Sequence, residues 1–307
     1  MFRLAVLHFL SANHRFRLIC ALVTLLFMFP FHSAADARLI YTPLPLTNSD
    51  SVIAQSRDLV RYIEQNTGFT IEIRYEADYA TIIDKFARDE IHLVHLGPLP
   101  YIVLRAVTPY ADPLVFFQEA DGRAGYTCSL ASAIDGDTAP ADTEGPVALT
   151  QSLSTCGFLV TQHLLGSADR NLHALPYSFL GSHEAVALAL VRGEFAIGGL
   201  KTSIGREYER VGLRLLMEGP ELPGFALVAN TRLLDQETRD ALAAALVATP
   251  ASVYSQWQGL GDRGMAKAMD SSFDGLRCLE GIDKMPDCGE FNCAVLQSVR
   301  DGICNAE

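Results

Sequence analysis

The stretch FTIEIRYEADYATIIDKFARDEIHLVHLG, residues 69–97, decides the fold class. Its first nine residues alternate apolar and polar side chains as a half-buried strand does, DYATIIDKFARDE carries apolar residues at helical spacing, and IHLVHLG is an apolar strand. Before it, ARLIYTPL is strand-like, and SVIAQSRDLVRYIEQNTG predicts an amphipathic helix that ends at Gly68. The resulting βαβαβ order predicts an α/β fold with an open, mostly parallel sheet flanked by helices.

A second unit of the same kind begins near Gly145. PVALT and LHALPYSF are predicted strands, TCGFLVTQHLLG and GSHEAVALALVRGE are predicted helices, and FAIGGLKTS is a short strand or turn. Two such units predict two lobes joined by chain crossings near Phe116–Tyr126 and Glu218–Ala226. A ligand would then lie in the cleft between the lobes, at strand C-termini and helix N-termini.

The N-terminal segment reads as an export signal. A basic lead with Arg3, Arg15 and Arg17 precedes the apolar run Leu18 to Phe31, and Ala35-Asp36-Ala37 fits the A-x-A form of a cleavage site. We therefore predict a signal peptide at 1–37, the first lobe at 38–120, the second lobe at 121–220, and a return to the first lobe with a Cys-rich tail at 221–307.

Charge argues against nucleic acid as a partner. Removing Arg3, Arg15, Arg17 and Asp36 from 24 basic and 36 acidic residues leaves 21 and 35, a net charge of about −14. Such a chain repels nucleic acid. A small anion remains possible as a ligand, because local dipoles can dominate a site over distant, screened charges.

Six cysteines remain after the predicted cleavage, and four of them lie in the last thirty residues. An even number in an exported chain favours disulfides. A metal cluster is the alternative for the tail, but the tail has no C-x-x-C pair and no nearby His, so no metal site and no cofactor are predicted. Cys128 and Cys156 are the remaining pair.

The segment QSLSTCGFLV, residues 151–160, suits an oxyanion. Ser154 and Thr155 offer hydroxyls and backbone N–H groups at a predicted helix N-terminus, where the helix dipole adds about half a positive charge. Gly157 lets the backbone approach closely. An ordinary helix cap is the alternative interpretation, because Ser and Thr are preferred at that position in any case.

Four stretches resemble, in order and spacing, the phosphonate-binding periplasmic protein family. These are LVRYIEQNTGFTIEIRYEADYATIIDKFARDEIHLVHLGPLPYIVLRA, STCGFLVTQHLL, FLGSHEAVALALVRGE and EGPELPG. The resemblance covers most of residues 40 to 245. It implies the two-lobed type II binding-protein fold and the role of substrate-capture subunit of an ABC importer for phosphonate, phosphite or related oxyanions.

The resemblance also implies roles for single residues. His183 would donate a hydrogen bond to the oxyanion while Ser182 caps its helix. Tyr79 and Tyr101 would line the pocket from the first lobe. By the residues alone, a His at a helix start or a Tyr at an element end more often has a capping or packing role.

Four positions depart from the family pattern. Cys156 stands where the family most often has a second Ser, and Pro100 has no backbone N–H to donate. Ala196 and Lys201 lie near positions where binders of aminoalkylphosphonates carry acidic residues. Lys201 would repel a ligand ammonium group, so we expect a ligand without a cation, or one with an extra negative group.

These observations predict a periplasmic solute-binding protein that captures a small oxyanion and passes it to a membrane permease. We expect a monomer without enzymatic activity, with Ser154, Thr155, Cys156, Gly157, His183, Tyr79, Tyr101 and Lys201 around the ligand. One alternative is a ligand-sensing module for a membrane signalling partner. Another is a cysteine-dependent enzyme with Cys156 as nucleophile, since a helix N-terminus lowers a thiol pKa.

Overall fold

The computed structural model describes residues 38–46, 48–136, 139–279, 281 and 293–304. The predicted signal peptide, residues 1–37, lies outside these ranges, as do Cys288 and the side chain of Cys293. Within the described ranges, no helix combines the length and the hydrophobicity needed to cross a bilayer.

Short strands alternate with helices along the chain. The described strands are β1 Arg38–Thr42, β2 Thr70–Ile73, β3 Leu93–Leu96, β4 Ala111–Phe117, β5 Gly125–Tyr126, β6 Cys128–Ala133, β7 Val147–Leu149, β8 Tyr177–Phe179, β9 Ile197–Lys201, β10 Leu213–Glu218, β11 Leu222–Pro223, β12 Ala226–Asn230 and β13 Met265–Lys267. The described α-helices are α1 Ser49–Thr67, α2 Tyr79–Ala87, α3 Pro98–Val107, α4 Thr161–Ser167, α5 His183–Val191, α6 Thr202–Glu209, α7 Gln236–Val247, α8 Ala251–Tyr254, α9 Asp274–Arg277 and α10 Cys293–Cys304. A π-helical segment, Thr155–Val160, leads directly into α4.

Local sequence signals set several helix ends. Gly68 adopts φ 75° after α1, and its N–H donates to the carbonyl of Glu64, which is the predicted glycine stop. The side chains of Ser182 and Asp235 cap α5 and α7 by accepting the N–H groups of Ala185 and Thr238.

The first lobe is built on a six-stranded sheet with the order β13-β4-β12-β3-β1-β2. The pairs β1–β2 and β1–β3 are parallel, with Tyr41 opposite both Ile73 and Leu93. The pairs of β12 with β3 and β4, and of β13 with β4, are antiparallel. The parallel part is the βαβαβ unit expected from the sequence.

The second lobe is built on a five-stranded sheet with the order β10-β6-β9-β7-β8. Here β7 pairs in parallel with β8 and β9, while β6 runs antiparallel to β9 and β10. The α/β fold with two lobes is confirmed, but each sheet is mixed rather than mostly parallel. The reason is that β6 and β12 enter their sheets directly from the crossings, without a crossover helix, so each runs antiparallel to both of its neighbours.

Two short strands connect the lobes. β5 and β11 pair antiparallel, with Tyr126 opposite Leu222 and Gly125 opposite Pro223. Each of the two predicted crossings contains one of these strands. A side chain at Gly125 would meet the carbonyl oxygen of Leu222 at 2.7 Å, so glycine is required for the close approach of the two chain segments.

The described residues contain two disulfides, one in the second lobe and one near the C-terminus. Cys128, at the start of β6, is bonded to Cys156 in the π-helical segment, with a Cα–Cα distance of 5.1 Å. This confirms the predicted pair. A second disulfide joins Cys278 to Cys304 and fixes α10 beside α9, where α10 packs on α3 with Leu296 buried.

Candidate functional site

Six helices begin at one cavity, which has a volume of about 460 Å³. Each follows a strand of a parallel pair, so their N-termini meet at the carboxyl edges of the two sheets. The positive end of each helix dipole favours a negative charge at this place. The lining residues at these helix starts are Asn48 for α1, Tyr79 for α2, Gly97 for α3, Ser154 for the π-helical segment, Ser182 for α5 and Lys201 for α6.

Ser154 brings hydrogen-bond donors to the second-lobe wall. Its Oγ accepts the N–H of Gly157 at 3.0 Å, as an N-cap does, and its own hydroxyl proton remains available for donation. The backbone N–H groups of Thr155 and Cys156 have no acceptor within the described part of the chain. The predicted helix start therefore carries three donors at the cavity.

Thr150, which directly precedes the segment 151–160, adds a hydroxyl to the site. Its Oγ1 is buried and has no hydrogen-bond partner among the described residues, yet the residue lines the cavity. An unsatisfied buried hydroxyl costs about 1–3 kcal/mol, so a ligand that accepts its proton gains that energy. A Cβ at Gly157 would lie 2.0 Å from this oxygen. The glycine thus allows close contact with Thr150.

His183 is held as a neutral donor. Its Nδ1 accepts the backbone N–H of Lys201 at 3.2 Å. Burial lowers the pKa of His183 to about 4, so the imidazole is neutral at pH 7. With Nδ1 used as an acceptor, the proton resides on Nε2, and His183 can donate from that atom into the cavity that it lines.

Lys201 lines the cavity as half of an ion pair. Its Nζ lies 2.7 Å from both carboxylate oxygens of Glu119 and over the ring of Tyr126, 4.9 Å from the centroid. The centroid of the Phe225 ring lies 5.6 Å from the same Nζ. The charge of Lys201, which the sequence predicts to repel a ligand ammonium, is therefore balanced by Glu119.

The two predicted tyrosines occupy different environments. Tyr79 lines the cavity, and burial raises the pKa of its phenol, which stays a protonated donor. Tyr101 does not line the cavity, because its ring is buried against Phe273 and its hydroxyl donates to Asp270 at 2.5 Å. The structure brings Tyr79 to the site and leaves Tyr101 in a packing role.

Cys156 takes part in the site through its backbone alone. Its sulfur is bonded to Cys128, so it offers neither a thiol donor nor a thiolate. The alternative of an enzyme with Cys156 as nucleophile is contradicted by this bond, because a nucleophilic cysteine requires the thiolate.

Two hydrogen bonds join the lobes beside the cavity. The N–H of Leu99 in α3 donates to Thr155 Oγ1 at 3.0 Å, and Gln151 Nε2 donates to the carbonyl oxygen of Pro45 at 3.1 Å. The hydroxyl of Thr155, predicted to face a ligand, is thus engaged by the first lobe. Both contacts require the lobes to be close together.

Sequence reasoning missed several lining or supporting residues: Glu119, Tyr126, Gln151 and Phe225. Gln151 begins the quoted segment 151–160, so its position near Ser154 was an available signal. Glu119 lies 82 residues from Lys201, and no local pattern indicates that contact.

Comparison with known proteins places the chain in one family. Residues 41–273 match the family described as ABC transporter, phosphonate, periplasmic substrate-binding protein. The phosphate-import protein PhnD of Mycolicibacterium smegmatis is 26% identical over 209 residues, which cover 62% of this chain. The alignment spans 65% of that relative, slightly less than two thirds of its length.

Solved structures share the fold at low sequence identity. PhnD1 from Prochlorococcus marinus in complex with methylphosphonate has a TM-score of 0.68 at 16% identity, with 81% of this chain and 98% of that chain covered. A binding protein component of an ABC phosphonate transporter from Pseudomonas aeruginosa has a TM-score of 0.67 at 17% identity, with 88% and 96% covered.

Proposed function

The chain belongs to the family of periplasmic substrate-binding proteins of phosphonate ABC transporters, and on that premise we propose that it captures a phosphorus oxyanion for import. The ligand is a phosphonate, phosphite or phosphate-like anion held in the cavity between the lobes. The protein is exported by cleavage after Ala37, acts as a monomer and delivers the ligand to a membrane permease without changing it chemically.

The buried, unpartnered hydroxyl of Thr150 carries this proposal. Its oxygen packs against Gly157, in the same segment as the N–H groups of Thr155 and Cys156, which also have no acceptor in the described part of the chain. Ser154 Oγ and His183 Nε2 complete a set of donors from separate segments. A tetrahedral oxyanion, whose oxygens point in several directions, satisfies such a set better than a planar carboxylate does.

The anion is held by neutral donors and helix dipoles. The cation at the cavity, Lys201, is already paired with Glu119. Charge-assisted hydrogen bonds from neutral donors to an anion are about twice as strong as neutral ones, so several of them suffice for tight binding. A ligand ammonium group finds no unpaired partner in Glu119, which supports ligands without a cation.

Closure over the ligand follows from the bonds between the lobes. Tyr79 supplies a hydroxyl from the first lobe, and the contacts of Thr155 with Leu99 and of Gln151 with Pro45 form when the lobes approach. Binding would therefore shift the protein toward the closed arrangement, which a permease can distinguish from the open one.

A thermal-shift and calorimetric screen of residues 38–307 tests the proposal. Phosphate, phosphite, methylphosphonate, sulfate and acetate are compared, and a ligand at 100 times its Kd should stabilise the fold by about 2.7 kcal/mol. Ser154→Ala should weaken binding of the phosphorus oxyanion by about 10- to 100-fold, because it removes a charge-assisted hydrogen bond.

Asp235→Ala is the matched control. It removes the cap of α7, a helix that does not begin at the cavity, and costs about 1 kcal/mol of stability without changing affinity. Absence of a shift with every phosphorus oxyanion would contradict the proposal, and so would an equal loss of affinity in the two variants.

A further inference from the structure

The cavity is larger than an oxyanion head group requires. Its volume of about 460 Å³ corresponds to about fifteen water molecules at roughly 30 Å³ each. A phosphonate group with its first carbon has five heavy atoms. Much of the cavity therefore remains for a substituent, if the donors of the second lobe hold the head.

The wall around this remaining space is apolar and aromatic. Tyr126 and Phe225 stack with ring centroids 5.6 Å apart and an angle of 24° between their planes. Gly97 leaves room for the second ring, because a Cβ there would lie 3.1 Å from Phe225. The further apolar residues that line the cavity are Leu44, Leu46, Leu153 and Ile204.

The ion pair on this wall opposes a charged substituent. Lys201 and Glu119 satisfy each other with two contacts of 2.7 Å, and their side chains are 16% and 22% exposed. A ligand carboxylate near Lys201 would meet Glu119, and a ligand ammonium near Glu119 would meet Lys201. Neither charge can pair without breaking the existing contact in a partly desolvated place.

Phe225 also lines a second cavity. The second cavity has a volume of about 200 Å³ and shares Leu44 and Phe225 with the first. His95 lines it with a buried Nε2 that has no partner among the described residues. The ring of Phe225 packs edge-on against His95 at 5.7 Å.

We infer that the site selects phosphorus oxyanions with an uncharged apolar substituent, aromatic or branched, and that Phe225 is the residue that determines this selection. The inference rests on the proposed function, since the second lobe must hold the oxyanion first. The substituent lies along Tyr126 and Phe225, and Phe225 sets the length that the main cavity accepts.

Isothermal titration with a series of phosphonates tests this inference. Methylphosphonate reports the head group, and phenylphosphonate should bind with a Kd at least tenfold lower. Propylphosphonate should bind more tightly than 2-aminoethylphosphonate and phosphonoacetate, which have similar length but carry an ammonium or a carboxylate. Phenyl phosphate, an ester, carries the same aromatic group through an oxygen atom. Its affinity relative to phenylphosphonate shows whether the site takes phosphonates or phosphate esters.

Substitution of Phe225 tests the residue itself. The preference for phenyl over methyl is the Kd of methylphosphonate divided by that of phenylphosphonate. Phe225→Ala should reduce this ratio to a quarter of its value or less. It should also improve binding of 4-phenylbutylphosphonate by opening the second cavity. Phe225→Leu, which keeps an apolar side chain, should lose only part of the aromatic preference, measured as the ratio of the Kd values for methylphosphonate and phenylphosphonate. It also serves if the alanine variant does not fold.

The outcomes separate the two proposals. If methylphosphonate binds and phenylphosphonate binds no more tightly, the inference about the substituent is overturned while the proposed function stands. If the charged analogues bind more tightly than propylphosphonate, the role of the ion pair is overturned. If no phosphorus oxyanion binds, the proposed function fails and the inference fails with it.

Discussion

The two walls of the cavity differ in what they can offer an anion. The second-lobe wall presents hydroxyl, imidazole and backbone donors from Thr150, Ser154 and His183. In the first lobe, α3 begins with Pro98 and has Pro100 as its third residue, neither of which has an N–H, and the N–H of Leu99 between them is bonded to Thr155. Under the proposed function, the second lobe holds the anion and the first lobe closes over it.

This asymmetry has a consequence for the order of events. Under the proposed function, the second lobe engages the anion first, and closure then adds Tyr79 and the hydrogen bonds between the lobes. Substitutions in the second lobe should therefore weaken the initial binding, whereas those in the first lobe should affect closure.

Removing the two disulfides one at a time should give the largest effects. The loops closed by Cys128–Cys156 and Cys278–Cys304 span 28 and 26 residues, so each Cys→Ala pair should lower the free energy of unfolding by about 3.5 kcal/mol. Only loss of the first pair should also weaken ligand binding, because Cys156 belongs to the segment with Ser154. Denaturant unfolding measures the stability of both variants, and calorimetry measures their affinity for the ligand. Equal affinities would show that the Cys128–Cys156 bond does not support the binding site.

Acid should destabilise both lobes through buried histidines. Burial lowers the pKa of His95 to about 3 and that of His183 to about 4, whereas an unfolded chain titrates near 6.5. Below pH 6.5 the unfolded state binds more protons, so the free energy of unfolding falls as pH drops, by about 1.4 kcal/mol per pH unit for each histidine until its folded pKa is reached.

The two histidines should differ in their effect on binding. His95→Gln and His183→Gln should each flatten the dependence of stability on pH between about 4 and 6.5, as measured by urea unfolding without ligand. Only His183→Gln should also weaken oxyanion binding at pH 7, since His183 lines the main cavity and His95 lines the second. Loss of affinity in His95→Gln would show that the second cavity influences binding in the main cavity.

A pair of tyrosine variants tests the first-lobe wall. Tyr79→Phe should weaken binding of methylphosphonate by about tenfold, because it removes a hydroxyl donor to an anion, worth about 1.5 kcal/mol. Tyr101→Phe should leave affinity unchanged and reduce stability by about 1 kcal/mol, because its hydroxyl bonds Asp270. The reverse result would place Tyr101 at the ligand.

The smallest effect should come from the bond between the lobes. Thr155→Val removes the acceptor for the N–H of Leu99 and should lower affinity by about fivefold through a less stable closed arrangement. Thr249→Val, which removes a helix-terminal hydroxyl bonded to Ala245 away from the cavity, is the control. Equal affinities of the two variants would show that this bond does not contribute to closure.

The sequence by itself determined what depends on short-range chemistry. The order of strands and helices follows from apolar periodicity, and the caps at Ser154, Ser182 and Asp235 follow from hydrogen bonds that span three residues. The same local signals placed Gly68 at a helix end and His183 at a helix start. The number and distribution of the cysteines suggested the pairing of Cys128 with Cys156 but left the full connectivity open.

Only the tertiary structure decided which side chains share the cavity. It paired Lys201 with Glu119 and stacked Tyr126 on Phe225, residues 82 and 99 positions apart. The sequence predicted the same role for Tyr79 and Tyr101. The structure gave them different roles, because the ring of Tyr101 packs on Phe273. Such contacts depend on the relative placement of whole elements, and that placement is set by the packing of the core rather than by neighbours along the chain.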